Sequence, residues 1–299
     1  MDYERMLKQL LLHEWIFGVY LLVMAASLSV AEGFPNLDTG VFWGLLIANI
    51  TVILASLYHK SSTLWRLRLG YYIVAMNIAF QQMRTAIPAL RDYRADMDLE
   101  AIDNWLIGAT PSLILQNWLH PLLSDIMSFC YFLYLPYLAI SLFWYLFSPL
   151  HVAKRFYVGL FSLYGIGFLG YLTVPAAGPY LAMVDRFLKP IEGGWLTTIN
   201  ATLIAAGSNG TDVFPSLHCA VSGYILFFDR RFKPWRFYVY FLPCMGLWIS
   251  TVYLRYHYLI DLIAGFILAV FSLWLAFKIH PGDEHEISSA IRGRARAGS

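Results

Sequence analysis

Residues 254–278 read LRYHYLIDLIAGFILAVFSLWLAFK, and the two ends of this stretch make opposite demands on the chain. From residue 258 to 278 the side chains are almost all apolar, and a helix of about 20 such residues spans a hydrocarbon core of about 30 Å. Ahead of the run stand Arg255 and His257, with Asp261 one turn in. Ionisable groups at membrane depth are costly and tend to mark a site. Comparable apolar runs lie near residues 12–31, 41–58, 69–88, 122–148, 156–174, 214–229 and 236–253. The pattern predicts an all-α fold, a polytopic membrane bundle of about eight transmembrane helices.

Composition points the same way. The 299 residues are 59% hydrophobic and 13% charged, where a soluble domain carries about 25% charge. A net charge of +2 gives no reason to expect a nucleic-acid partner. Cys130, Cys219 and Cys244 sit in apolar surroundings without the spacing of a zinc site, so they read as packing residues, and no metal or cofactor is expected. The first apolar run is long, follows mixed charge and lacks a short cleavage site, which predicts a retained anchor. With the N-terminus in the cytoplasm, most of the 21 Lys and Arg residues fall in inside segments, among them Arg66, Arg68, Arg230, Arg231, Lys233 and Arg236. The acidic loop holding Asp92, Asp96, Asp98, Glu100 and Asp103 then lies outside. The expectation is an integral membrane protein with both termini cytoplasmic and the RYHYLID turn on the non-cytoplasmic face.

Two further interruptions map to that face. FPSLHCA, Phe214–Ala220, opens the sixth run with a proline, a serine and a histidine, and TVPAAGPY, Thr173–Tyr180, ends the fifth with helix breakers. Four residues apart on a helix, His257 and Asp261 share a face, so the carboxylate can orient one ring nitrogen and leave the other free. A second histidine, His218, suits general acid work beside a nucleophilic His257 in phosphoryl transfer. The equatorial oxygens then need donors. Arg255 is the first candidate, Arg84 and Lys189 are others, and Ser216 can cap the sixth helix so that its first-turn amides face an anion. His218 stands only about 12 residues, or about 18 Å of helix, before Arg230. Either the helix continues to Pro234 or the histidine is recessed below the surface. Asn200-Ala-Thr and Asn209-Gly-Thr form glycosylation sequons in the outer loop.

These residues resemble the type 2 phosphatidic acid phosphatase superfamily, which includes vanadium haloperoxidases and carries motifs similar to K-x6-R-P, P-S-G-H and S-R-x5-H-x3-D on a six-helix core. Pro215 to His218, PSLH, matches the second with Leu217 for glycine. Ser250, His257 and Asp261 match the third, but Thr251 stands where the family has arginine, and the first motif is not recognisable. The resemblance implies His218 as acid, His257 as nucleophile and Asp261 as its partner. FPSLH, YLRYHYLIDLIAG and IDNWLIGATPSLILQ (102–116) look like the inositol phosphorylceramide synthase-like branch. The implied organisation is two N-terminal transmembrane helices in 1–68, a six-helix core in 69–280 and a polar cytoplasmic tail in 281–299.

The function expected first is a lipid phosphotransferase, moving a phosphoryl-linked headgroup from a phospholipid to a lipid hydroxyl through a phosphohistidine. A lipid phosphate phosphatase using water is the alternative. A transporter or other non-enzymatic membrane protein is the third reading, and it calls for charges within several helices, which these runs almost lack.

Overall fold

The computed structural model describes residues 10–58 and 61–278. The tail expected at 281–299, and the basic residues Arg5, Lys8 and Lys60, lie outside the described residues. Helices account for the fold: α1 (Leu12–Ala31), α2 (Leu37–Tyr58), α3 (Ser62–Leu90), α4 (Asp96–Ile107), α5 (Pro121–Phe132), α6 (Tyr134–Leu146), α7 (Leu150–Thr173), α8 (Trp195–Gly207), α9 (Leu217–Phe232), α10 (Pro234–Tyr253) and α11 (Leu259–Lys278). Short helical turns fill two of the connections, those between α4 and α5 and between α7 and α8. Among the described residues no strand forms, and a single bridge joins Ala176 to Asp212.

Five segments are long and apolar enough to cross a membrane: α1, α2, α5 with α6, α7 and α11. The remaining runs of the expected eight are helical but less suited. Helix α3 carries Arg66, Arg68, Gln81, Gln82 and Arg84, and α9 has 16 residues, about 24 Å at the helical rise. Helix α10 still presents Val239 (57% exposed), Leu242 (76%) and Ile249 (53%) outward, an apolar face that lipid covers without penalty and water does not. Between α5 and α6, Pro136 cannot donate to the Phe132 carbonyl, and the helix breaks at Leu133.

Helix α7 is the axis of the bundle, packed by α1, α3, α6, α9 and α11. Two buried ion pairs correct the expectation that the helices carry almost no charge, since Arg68 and Arg236 lie within α3 and α10. Arg68 of α3 pairs with Glu14 of α1 and donates to Ser56 (2.8 Å). Arg236 of α10 pairs with Asp229 of α9 at 2.9 Å, and the Tyr137 hydroxyl donates to the same carboxylate at 2.9 Å. The pairs tie α1 to α3 and α9 to α10. Asp229→Ala leaves Arg236 buried and uncompensated, which costs about 3–5 kcal/mol. The expected outcome is a drop in thermal unfolding temperature in detergent, with a much smaller drop for exposed Arg230→Ala.

Candidate functional site

The two histidine motifs are joined through backbone. Ser216 Oγ accepts from the Cys219 N–H (3.4 Å) and so caps α9, while the Ser216 N–H donates to the Asp261 carbonyl (3.0 Å). This close approach needs small neighbours. A Cβ on Gly265 of α11 would stand 2.5 Å from the Ser216 carbonyl oxygen, and one on Gly170 of α7 would overlap Pro215. Gly265→Ala therefore pushes α9 and α11 apart at an overpacking cost of about 1–3 kcal/mol. Thermal unfolding reads that cost, and loss of turnover beyond it reads the displacement of His218 from His257.

The RYHYLID turn is built by the end of α10. Arg255 takes a left-handed backbone (φ 67°), and the N–H groups of Tyr256 and His257 both donate to the Thr251 carbonyl, at 2.9 and 3.1 Å. Thr251, in the position of the family arginine, is fully buried, and its hydroxyl donates to the Trp248 carbonyl (2.7 Å). Asp261 Oδ2 accepts from the Tyr258 N–H (2.8 Å) and lies 3.3 Å from His257 Nδ1. The next two amides of α11, those of Leu259 and Ile260, donate to Asp103 of α4 at 2.8 and 2.9 Å. Three of the four otherwise orphaned amides of this helix start are thus held by carboxylates. Asp96, also on α4, accepts from the Gly178 N–H (2.9 Å), the Ala177 N–H and the Tyr258 hydroxyl (3.1 Å). One acidic helix fastens both irregular turns.

The His218 and His257 rings lie 5.7 Å apart between centroids. The Tyr131 hydroxyl of α5 sits 3.0 Å from His218 Nε2, and the Ser222 hydroxyl donates to the His218 carbonyl. His257 is 3% exposed. Burial pushes its imidazole down to about 4, against the opposing pull of the Asp212 charge and a backbone hydrogen bond at Val213. Neutral imidazole, with a free pair of electrons on one nitrogen, is the form a nucleophile needs.

A cavity of about 360 Å³ extends from both histidines between α3, α5, α6 and α7. Near the histidines it is lined by Tyr131, Tyr180, Asn200, Asp212 and Tyr256; further in, by Met76, Phe80, Leu138, Leu142 and Phe161. Helix α8 closes one side. Its N-terminus is held by Asp125, which accepts from the amides of Gly194 (2.9 Å) and Thr197 (3.0 Å), and its C-terminus by Arg84, which donates to the carbonyls of Ser208 (2.7 Å) and Ala205 (3.3 Å).

The candidate phosphate ligands divide. Ser216 lies at the helix start beside the histidines. Arg255 points away: its guanidinium donates to the Lys189 carbonyl (2.6 Å) and stacks 3.8 Å over the Phe187 ring. Arg84 caps α8, and the exposed Lys189 offers its carbonyl to Arg255. No lysine or arginine is among the described residues lining the cavity. Both sequon asparagines are buried, Asn200 at 3% and Asn209 at 6% exposure. Asn200 donates to the Tyr256 hydroxyl (3.1 Å) and Asn209 folds onto Thr211, so neither is presented to a glycosylating enzyme in the folded protein.

Tyr131, Asp96, Asp103 and Asp212 lie outside the motifs. Asp96 and Asp103 do carry a signal in the sequence: seven residues is about two helical turns, which puts both carboxylates on one face. Tyr131 and Asp212 carry none: the contact of Tyr131 to His218 is made across the bundle, and Asp212 joins the histidines only as part of the same cavity wall.

An all-helical membrane bundle with two histidines and a carboxylate gathered at one end of a cavity defines a class with a recognisable chemistry. The signature of the PAP2 superfamily matches residues 97–275, and the chain belongs to that superfamily. A PA-phosphatase related-family protein of Dictyostelium discoideum is 28% identical over 134 residues, 44% of this chain and 24% of that protein. The chain thus spans about a quarter of the length of that relative. No solved structure matches.

Proposed function

We propose that the protein is a lipid phosphotransferase that moves a phosphoryl-linked headgroup from a phospholipid to a lipid hydroxyl through a covalent adduct on His257. The observation that supports this most is the pairing of His218 and His257 across one cavity, 5.7 Å between ring centroids, with Asp261 at 3.3 Å from the second ring. In the first step the His257 nitrogen not turned to Asp261 attacks phosphorus. The P–O bond to the lipid breaks, and His218 gives its proton to the departing oxygen. In the second step His218 takes the proton of the acceptor hydroxyl, the acceptor oxygen attacks phosphorus, and the bond to His257 breaks. Asp261 stabilises the imidazolium that exists between the steps.

Transfer is favoured over hydrolysis by the resemblance to the inositol phosphorylceramide synthase-like branch and by the replacement of the family arginine with Thr251. A dianionic monoester is poorly served by a cavity whose described lining holds no lysine or arginine. The distribution of basic residues supports a site on the non-cytoplasmic face, and α1 with α2 stands as an addition to a six-helix core. The deciding assay incubates the purified protein with a phospholipid labelled at phosphorus, with and without a ceramide or diacylglycerol acceptor. A new labelled lipid supports transfer, and release of inorganic phosphate establishes the phosphatase reading instead.

The depressed His257 supplies a pH expectation. In kcat/KM, which reports the free enzyme, the limb belonging to this residue falls as pH drops towards about 4. At pH 5.5 an ordinary imidazole is largely protonated, whereas His257 remains neutral. A pH profile of kcat/KM with a substrate of constant charge checks this.

A further inference from the structure

The cavity wall beside the histidines is acidic and aromatic where a phosphate site is usually basic. Asp212 is half-buried there; one carboxylate oxygen accepts from the Ser208 hydroxyl at 2.7 Å, and no ion pair among the described residues neutralises it. Tyr131, Tyr171, Tyr180 and His257 line the same cavity. The rings stand steeply inclined in series: Tyr180 to Tyr256 at 5.4 Å and 88°, Tyr256 to Tyr131 at 4.9 Å and 62°. Inclined tyrosines with a carboxylate beside them form the arrangement that receives an ammonium group, through the negative faces of the rings and the opposite charge. The arginines around the site are committed to backbone carbonyls, Arg255 to Lys189 while it stacks on Phe187, Arg84 to the end of α8, and Arg94 to Gly210.

We infer that the site takes a zwitterionic phospholipid, one whose phosphodiester headgroup carries an ammonium such as choline or ethanolamine, in preference to phosphatidate or an inositol or glycerol headgroup. This rests on the lipid phosphotransferase reading and names its donor. The phosphate of such a lipid arrives with its own cation two carbons away. That cation offsets the repulsion a bare phosphate meets from Asp212, and it supplies the positive charge that the wall lacks. An uncharged sugar headgroup does neither. Asp212 is a specificity residue in this account, without contact to the reacting atoms.

The test measures binding separately from turnover. Dioctanoyl lipids bearing choline, ethanolamine, inositol, glycerol or unsubstituted phosphate are titrated against the His257→Ala protein in a neutral maltoside detergent. The choline and ethanolamine lipids are expected to bind at least about tenfold tighter than the other three. Adding Asp212→Asn, which retains an acceptor for Ser208, is expected to erase that preference while leaving the inositol lipid unchanged. Tyr180→Leu is a second variant, independent of the charge, expected to weaken the choline lipid alone. Equal or tighter binding of the anionic lipids, or a preference that survives both substitutions, overturns the inference. In parallel, the unsubstituted protein is assayed for turnover of the same lipids. Absence of turnover counts against the phosphotransferase reading and leaves the binding order to judge the headgroup on its own.

Discussion

His257→Ala is expected to lower kcat by at least about 10⁴-fold, leaving only the acceleration that positioning alone supplies. Among the described residues His257 combines a neutral ring, a carboxylate on one nitrogen and an open cavity beside it. The loss should appear in kcat and in kcat/KM together, since the bond to the nucleophile exists in the transition state and not in the bound lipid. Its amide, which holds the turn through the Thr251 carbonyl, is retained by alanine. Thermal unfolding close to that of the unsubstituted protein is therefore part of the expected result, and full activity in this variant removes the basis for the mechanism.

His218→Ala is expected to cost about 10²- to 10⁴-fold, the usual range for a general acid, and the size of the loss should depend on the substrate. A lipid alkoxide is a poor leaving group and needs the proton. A nitrophenyl ester of the same headgroup phosphate does not, so the variant should recover much of its formation of the covalent adduct with that substrate. Tyr131, 3.0 Å from His218 Nε2, bears on the same step by holding the ring in place. An equal loss with both leaving groups contradicts the acid role and points to a packing role for the ring.

Much of the scaffold is legible in the pattern of apolar residues. Runs of about 20 leave few choices other than a helix, and the eight runs correspond to helical segments, five of them long and apolar enough to span a membrane. The spacing of His257 and Asp261 does bring the two together, but not on a shared helix face: His257 lies in the turn ahead of α11, which begins at Leu259, and Asp261 in the first turn reaches back to it. The site's remaining parts are held by contacts across elements, which periodicity does not encode. Asp96 and Asp103 look like solvated charges in an acidic loop, yet each satisfies backbone amides of a distant turn. Arg255 looks like an anion ligand from its place two residues before His257. Its left-handed backbone instead carries the guanidinium to Lys189 and Phe187. The sequons satisfy a three-residue pattern that is blind to burial. Arg68 and Arg236 look like loop residues because a basic residue at the end of an apolar run usually lies in one, and their acidic partners are 54 and 7 residues away.

The central claim is that phosphorus is bonded to His257 between two displacements. Each in-line displacement inverts configuration at phosphorus, so two restore it. The direct measurement is the stereochemical course of transfer from a phosphorothioate lipid of defined configuration to a lipid hydroxyl, read by phosphorus NMR of the product. Retention is the result this mechanism predicts. Inversion contradicts it, because a single inversion means the acceptor attacks the donor lipid directly and no bond to His257 is formed.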